Sequence, residues 1–467
     1  MARKSKKSEN PLVQRFEQML AEGESTFFDL HEFEDLIEYY ASCLQWQKVW
    51  HVCQAALALY PFASELEIEK ARALVRQGKY QHALQQIEKA AVLHPYSEEL
   101  YTLQAEAFAG LQMFPQAIES LLIALEHTAE KEEIHLRIAE LYQHCGKLQQ
   151  AAEHWLEVVK INPDNAEAVK EAAQALKYLR HTNYGAHVLE TLIDNHPEEF
   201  RHWRNAAIFH NQIGNFHKAI ELLGYALALN EEESTVWYYL GHAQMNLNRY
   251  QEAETSYKKA IELQEKNSTP DAEMYCCLAA TYEKRKEYAQ AARFYRKAIH
   301  LDQRCANGWY GLGMCLIARQ RWYEAIGFLK KSVRLDNQRE EYWLALATAE
   351  WKTGNVVSAI EAYQQASYIN PSNPQVWLDW SEIYRQQGDY KKAIDLLEEG
   401  LEECLNHADL HYRLCVCCLE AGKYKQSFAY LENALTLDFD RHTVLYEWIQ
   451  DLNLCKVLFK IISQYER

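Results

Sequence analysis

The sequence is poor in the residues that interrupt regular structure. It has only 16 glycines and 9 prolines among 467 residues. This scarcity excludes collagen, proline-rich linkers and low-complexity chains, and it leaves room only for few or short loops. No apolar run approaches the roughly 20 residues of a membrane-spanning helix. The basic stretch at 1–10 lacks the apolar core of a secretory signal. We therefore predict a cytoplasmic protein, with no membrane partner, whose 12 scattered cysteines are reduced.

Basic charge is also in short supply. The chain has 49 lysines and arginines against 66 acidic residues, for a net charge of −17. Because nucleic-acid affinity rests on basic side chains, we expect no nucleic-acid partner. Residues 30–165 alone carry 20 acidic and 10 basic residues. This acidic end of the chain is expected to attract a basic partner, with an association that weakens as ionic strength rises.

The motifs of the common enzyme classes are missing. The sequence contains no HExxH, no GxSxG, no phosphate-binding loop and no paired CxxC motif. Cys415, Cys417 and Cys418 form the densest thiol cluster, but their helical spacing turns the sulfurs to different faces, as is typical of core cysteines. We therefore predict a protein that is not an enzyme, with no catalytic residue, no metal ligand and no cofactor.

A period of 34 residues organises what is present. Pro61 and Pro95 lie 34 residues apart, Pro95 and Pro163 lie 68 apart, and Pro163 and Pro197 lie 34 apart. Such a period is typical of solenoid proteins. With one four-residue insertion at 268–271, twelve repeats fit the span 30–441, with starts at residues 30, 64, 98, 132, 166, 200, 234, 272, 306, 340, 374 and 408.

Each repeat shares a pattern of small, aromatic and turn residues. The eighth position is small in eleven repeats, with Ile37 as the exception. The twentieth is alanine in nine, the fifteenth is glycine in six and the fourth is tryptophan in five. Small residues allow two helices to approach closely, and a glycine ends the first helix in a left-handed conformation. The pattern therefore predicts two helices per repeat, each pair burying its apolar face on its neighbours. Repeat five departs most, with Arg180 at the turn and Gly185 at the alanine position.

These residues resemble the tetratricopeptide repeat family. The best matches are Trp237, Leu240, Gly241, Tyr250, Ala253, Tyr257 and Ala260, followed by Trp309, Leu312, Gly313, Trp322, Ala325 and Leu329. The resemblance implies an all-α fold, a right-handed superhelical α-solenoid of stacked helix-turn-helix repeats. The opening around Phe16, Met19, Phe27, Phe28, Asp29, Tyr39 and Tyr40 is similar to that of long cytosolic bacterial repeat proteins.

The expected organisation has four parts. Residues 1–10 form a basic disordered tail, 11–29 an N-terminal capping helix, 30–441 the twelve repeats, and 442–467 C-terminal capping helices. Asp29 and Glu32 have the spacing of a capping box for the first repeat helix. Leu445, Trp448, Ile449 and Leu452 predict one C-terminal helix, and Leu454, Val457, Leu458, Ile461 and Ile462 predict a second.

The resemblance also implies where binding occurs, because the first helix of each tetratricopeptide repeat lines a concave groove. In repeats one to four the lining includes Glu34, Glu38, Glu65, Glu69, Glu106 and Glu140. In repeats five and six the candidate binding residues are Lys170, Lys177, Arg201, Arg204, Asn205 and Asn211. In repeats seven to ten they are Tyr238, Tyr239, His242, Met245, Tyr310, Met314 and Trp351. The basic and polar group is suited to carboxylates or a peptide backbone, and the aromatic and methionine group to apolar side chains of the same ligand.

The function predicted from these observations is a non-enzymatic scaffold or adaptor that binds peptide segments or partner proteins in the groove. Two alternatives remain open. One is a structural or regulatory subunit of a larger complex that self-associates, as a homodimer, through its C-terminal helices. The other is a cytosolic assembly chaperone. The identity of the partner does not follow from the sequence.

Overall fold

The computed structural model describes residues 11–22, 27–267, 269, 271–449, 458, 461–463 and 465. Within these residues the chain is all-α and forms no β-strand, which confirms the predicted fold class. The chain divides into two compact units, residues 1–231 and 232–467. Several predicted segments lie outside the described residues: the tail at 1–10, residues 23–26 of the N-terminal cap, the insertion residues Ser268 and Pro270, and half of the C-terminal caps (450–457, 459, 460, 464, 466 and 467).

Unit 1 is a series of helices packed in consecutive pairs. Its helices are α1 (Pro11–Glu22), α2 (Leu30–Ser42), α3 (Trp46–Leu59), α4 (Ser64–Arg76), α5 (Tyr80–Leu93), α6 (Glu98–Gly110), α7 (Phe114–His127), α8 (Lys131–His144), α9 (Leu148–Ile161), α10 (Ala166–Tyr178), α11 (Thr182–Asn195), α12 (Phe200–Ile213) and α13 (Phe216–Leu229). Helix α2 packs on α3, α4 on α5, and the series continues to α12 and α13.

Unit 2 repeats the same arrangement. Its helices are α14 (Ser234–Asn246), α15 (Tyr250–Asn267), α16 (Ala272–Lys284), α17 (Tyr288–Leu301), α18 (Ala306–Ile317), α19 (Trp322–Leu335), α20 (Glu340–Lys352), α21 (Val356–Ile369), α22 (Pro374–Gln386), α23 (Tyr390–Glu403), α24 (Ala408–Glu420), α25 (Tyr424–Leu437) and α26 (Val444–Trp448), with a 3-10 turn at Asp440–Thr443 before α26. Across both units, the first helix of each pair begins at the residue given above as a repeat start, except that α8 begins at Lys131. The division into tail, caps and twelve repeats stays a prediction.

The turn inside each helix pair has one backbone conformation throughout. Its fifteenth-position residue has a positive φ in all twelve pairs. Six of these residues are Gly78, Gly146, Gly214, Gly354, Gly388 and Gly422, and six are Leu44, Gln112, Arg180, Asn248, Lys286 and Gln320. Glycine adopts this conformation without a steric penalty, whereas other residues are strained by it. The turn is therefore retained even where the sequence lacks glycine.

Four of the five fourth-position tryptophans connect their first helix to the loop before it. The indole N–H of Trp203 donates to the carbonyl oxygen of Pro197 at 2.9 Å, and that of Trp377 donates to the carbonyl oxygen of Pro371 at 2.8 Å. Trp309 and Trp343 make the same bond to the residue six positions earlier. These side chains therefore satisfy loop carbonyls in addition to filling space.

Repeat five keeps the fold despite its unusual residues. Arg180 adopts the left-handed turn with φ of 60°. A methyl group at Gly185 would lie 2.5 Å from the ring of Phe209, on α12, and 2.8 Å from Leu176. Glycine replaces alanine here because the phenylalanine ring occupies the space that a Cβ atom would need.

The N-terminal helix α1 packs against the start of the first repeat. Phe16 of α1 is fully buried, and its ring makes an edge contact with Phe28 at 5.9 Å between centroids. The capping box is confirmed, since the Asp29 side chain accepts from the Glu32 N–H and the Glu32 side chain accepts from the Asp29 N–H. At the other end, α26 stops at Trp448, so the predicted helix is shorter than its apolar stripe. Leu445, Ile449, Leu458 and Ile462 are buried in one cluster with α24 and α25.

Candidate functional site

The first helices of the first two repeats form a groove of about 730 Å³ in unit 1. We call it the α2–α4 groove. Its walls come from α2 and α4 and from the loop that precedes α4, and its lining residues are Leu30, Glu34, Ile37, Glu38, Ala41, Ser42, Phe62, Ala63, Glu65, Leu66, Glu69 and Arg72. Four of them, Glu34, Glu38, Glu65 and Glu69, were predicted to line the concave face. The volume falls within the usual range of binding sites.

The groove combines an apolar floor with an acidic rim. Ile37 and Leu66 are buried at the base, whereas the ring of Phe62 is 95% exposed. Exposing a large aromatic ring beside apolar neighbours is typical of surfaces that contact another molecule. Glu38 and Glu65 are exposed at the rim, and neither has a cationic partner among the residues that the structure describes. The groove can therefore accept apolar and basic groups together.

Glu69 and Arg72 form the ion pair at one side of the groove. A guanidinium N–H of Arg72 donates to the Glu69 carboxylate at 2.7 Å, and Arg72 also pairs with Glu99 on α6. Burial raises the pKa of the Glu69 carboxyl, and the charge of Arg72 opposes that rise. Because Arg72 is shared between two carboxylates, the groove keeps an excess of negative charge.

Cations on the next helices are also used in ion pairs. Arg76 lies 3.3 Å from Glu106, and Arg137 of α8 pairs with both Glu106 at 3.1 Å and Glu133 at 2.6 Å. The two pairs with Glu106 connect the first helices of successive repeats, and all three pairs are exposed enough to contribute little stability each. Arginine side chains thus compensate the charges of Glu106 and Glu133, whereas Glu38 and Glu65 of the α2–α4 groove have no such partner among the described residues.

The basic and polar candidates of repeats five and six all lie in unit 1, where their donors are used within the chain. Arg204 is buried, and its guanidinium donates to the carbonyl oxygen of Pro163 at 2.7 Å. Asn205 is fully buried and donates to the same oxygen at 2.8 Å. Both side chains therefore hold the loop between α9 and α10, and this use reduces what they can offer a ligand.

The other members of this group make local contacts. Arg201 donates to Asp164 at 2.9 Å and to Glu199 at 3.0 Å. Lys177 donates to the carbonyl oxygen of Gln212 at 2.9 Å, near the end of α12, and Lys170 lies 3.0 Å from Glu167. Asn211 is buried on α12. Arg201, Lys170 and Lys177 are the three that reach solvent, and their role in binding stays a prediction.

The aromatic and methionine candidates lie in unit 2. Tyr238, Tyr239, His242 and Met245 are on α14, Tyr310 and Met314 on α18, and Trp351 on α20. Only His242 is exposed; the others are partly buried. Tyr238 and Met245 pack on one core cluster, and Tyr310, Met314 and Trp351 pack on another. The basic and the aromatic groups thus belong to different compact units, and one groove that contains both stays a prediction.

Sequence reasoning missed Phe62 as a site residue. It follows Pro61 in a loop, so the rule that assigns lining positions to first helices does not reach it. The position of Phe62 directly after a helix-ending proline could have indicated its exposure, because a phenylalanine in a short loop has few side chains to pack against.

The comparisons with known proteins agree with the repeat pattern. The family model of the cilia and flagella-associated protein 70 C-terminal domain, a tetratricopeptide repeat model, matches residues 233–444. The tetratricopeptide repeat-containing protein trd-1 of Caenorhabditis elegans is 23% identical over 135 residues, which are 29% of this chain and 18% of that protein. Tetratricopeptide repeat protein 14 of Mus musculus is 31% identical over 94 residues, 19% of this chain and 12% of that protein. The chain thus spans less than a fifth of these relatives.

A solved structure, that of the APC/C hetero-tetramer Cut9-Hcn1, covers 87% of this chain and 93% of its own at 14% identity, with a TM-score of 0.42. The relatives above come from animals, so the expected likeness to bacterial repeat proteins finds no support among them. Among the described residues, no helix has the length and apolar character needed to cross a membrane. The family model and the two named relatives therefore support the presence of tetratricopeptide repeats in this chain.

Proposed function

We propose that this chain is a non-enzymatic protein-interaction scaffold in the cytoplasm whose α2–α4 groove binds a basic amphipathic segment of a partner protein. The observation that carries the proposal is the pairing of an apolar floor with a rim of four glutamates in one groove. A peptide with leucine-like side chains on one face and lysines or arginines beside them would bury the apolar area and compensate the carboxylates.

The charge distribution supports a basic occupant over an acidic one. Residues 30–165 carry an excess of ten acidic residues, and the nearest cation of the groove, Arg72, already serves Glu69 and Glu99. A phosphate-bearing ligand would meet repulsion without a compensating cluster of basic side chains. An acidic peptide would meet the same repulsion, so the proposal commits to a basic segment.

The remaining predictions concern other surfaces. The solvent-accessible cations Lys170, Lys177 and Arg201 and the aromatic group of unit 2 stay candidates for further contacts along the partner. Self-association through the C-terminal helices and an assembly-chaperone role stay alternatives to the scaffold function.

The experiment that tests the proposal is fluorescence anisotropy of the full chain with labelled synthetic peptides. The first peptide contains leucine and lysine in helical amphipathic spacing over about 18 residues. The second has the same composition with the leucines distributed around the helix, and the third replaces every lysine with glutamate.

We expect the amphipathic basic peptide to bind at least about tenfold more tightly than either control, a difference of about 1.4 kcal/mol. Equal binding of the two lysine peptides would show that only net charge matters, and binding of the glutamate peptide would contradict the proposed chemistry of the groove.

A further inference from the structure

Two thiols and a carboxylate meet in unit 2, away from the α2–α4 groove. The sulfur of Cys276, on α16, lies 3.5 Å from the sulfur of Cys305, the residue that precedes the first turn of α18. Glu273 lies one helical turn before Cys276 on α16, so both side chains project from the same face. A carboxylate oxygen of Glu273 and the two sulfurs all lie within 4.8 Å of one another.

The spacing of the sulfurs matches a shared cation better than a covalent bond. A disulfide needs about 2.05 Å between its sulfur atoms. Two thiolates on one tetrahedral zinc ion, each at about 2.3 Å from the metal, lie about 3.8 Å apart. The observed 3.5 Å is close to the second value, and a carboxylate oxygen of Glu273 lies near enough to both sulfurs to be a third ligand.

Hydrogen bonds around the three side chains hold the Glu273 carboxylate in place. The Asn307 amide donates to both carboxylate oxygens of Glu273 at 3.1 Å, and the Tyr342 hydroxyl donates to the Asn307 side-chain oxygen at 2.5 Å. Such outer contacts orient metal-ligating carboxylates in known sites.

Access and burial are suited to a bound ion. Cys276 is buried within the core cluster of α15, α16 and α17, and Cys305 is half-buried against the same cluster. Among the described residues this is the one group of three histidine, cysteine or acidic side chains with their ligand atoms this close. Three protein ligands leave one tetrahedral position for water.

We propose that Cys276, Cys305 and Glu273 bind one thiophilic divalent cation of the zinc class, with water as the fourth ligand. Binding replaces the sulfur-bound protons of both thiols with metal–sulfur bonds, and the protons pass to solvent. The ion would join α16 to the start of α18, which are the first helices of two successive repeats.

The test uses the full chain, reduced and stripped of metal, titrated with Co²⁺ and then with Zn²⁺. We expect one equivalent of Co²⁺ to produce thiolate-to-cobalt charge-transfer absorption, which Zn²⁺ then abolishes by displacement. Cys305→Ser should abolish the absorption, and Glu273→Gln should weaken Co²⁺ binding by at least about tenfold. Cys145→Ser is the control, because Cys145 has similar partial exposure and lies outside the site, and it should bind as the unaltered chain does.

A substitution at Asn307, which donates to the Glu273 carboxylate, changes the surroundings of the site and leaves all three ligands in place. Asn307→Ala should keep the absorption and weaken the affinity about tenfold. Absence of charge-transfer absorption in the unaltered chain, or its persistence in Cys305→Ser, would overturn the proposal. Recovery of a Cys276–Cys305 disulfide by mass spectrometry, together with no metal uptake after reduction, would assign the pair to thiol oxidation and would also overturn it.

Discussion

The side-chain amide of Asn205 donates a hydrogen bond to the carbonyl oxygen of Pro163 at 2.8 Å, across 42 positions of sequence. The guanidinium of Arg204 donates to the same oxygen at 2.7 Å. A loop carbonyl that cannot join a helix is thereby satisfied by two buried donors from α12. Two residues with the chemistry of ligand binding thus fasten the first helix of repeat six to the loop between repeats four and five.

Replacing Asn205 with alanine should therefore lower the stability of the chain. The variant removes a fully buried donor and leaves the Pro163 oxygen with Arg204 alone, so we expect a loss of about 1–3 kcal/mol in the free energy of unfolding. Urea denaturation followed by circular dichroism measures it. Asn246→Ala is the control, because Asn246 is exposed and donates to His242 within its own helix. Equal losses in the two variants would contradict the fastening role of Asn205.

The turn at Arg180 should be improved by glycine. Arg180 is exposed and has a φ of 60°, where a side chain is strained and glycine is not. We expect Arg180→Gly to raise the free energy of unfolding by about 1 kcal/mol. The reverse change at the equivalent position of the preceding repeat, Gly146→Ala, should lower it by a similar amount, because Gly146 has a φ of 69°. The same sign of change in both variants would count against turn strain as the cause.

Two helical glycines differ in whether they have room for a methyl group. A Cβ atom on Gly241 would lie 2.8 Å from a ring carbon of the buried Tyr257, whereas one on Gly327 would meet nothing within 4 Å. Both alanine variants gain helix propensity. Only Gly241→Ala must displace the ring, so we expect it to be less stable than Gly327→Ala by about 1–3 kcal/mol in urea denaturation. Indistinguishable midpoints would show that the ring moves aside at no cost.

Acid should weaken peptide binding in the α2–α4 groove. The loss of affinity should begin at a higher pH than the protonation of an ordinary exposed glutamate would cause. Burial raises the pKa of Glu69, so falling pH neutralises this carboxylate at a pH above the usual value of about 4.3. Affinity for the basic amphipathic peptide is present above the pKa of Glu69 and is lost as the pH falls through it. Anisotropy titrations across the acidic range measure this dependence.

Glu69→Gln is the variant that isolates this titration. It should bind more weakly near neutral pH, and the loss of affinity that Glu69 protonation causes in the unaltered chain should be absent. If Glu69→Gln and the unaltered chain have the same pH profile, Glu69 does not contribute to peptide binding.

The regular part of the molecule was predictable because it depends on short-range patterns. Spacing of small residues and turn glycines predicted the helix pairs, and Asp29 with Glu32 predicted the capping box that the structure contains. The turn at Arg180 shows that stacking against neighbouring repeats imposes the conformation even where the local residue disfavours it.

The site was less predictable because it depends on how side chains are shared between repeats. The sequence does not show that Arg204 and Asn205 bind a carbonyl about 40 residues earlier, nor that Phe62 projects from its loop. The pair Glu273 and Cys276 could have been noted from its helical spacing. Its third member, Cys305, is brought near only by the packing of α16, α17 and α18.

The measurement that tests the central claim most directly is peptide affinity in two charge-reversed double variants. Glu38→Lys with Glu65→Lys reverses two exposed charges at the rim of the groove. Glu119→Lys with Glu126→Lys changes the net charge equally on the exposed face of α7, outside the groove. At low ionic strength, the rim variant should weaken binding of the basic amphipathic peptide by at least about tenfold and the α7 variant by less than about threefold. Equal weakening in both, or none in the rim variant, would contradict the assignment of the α2–α4 groove as the binding site.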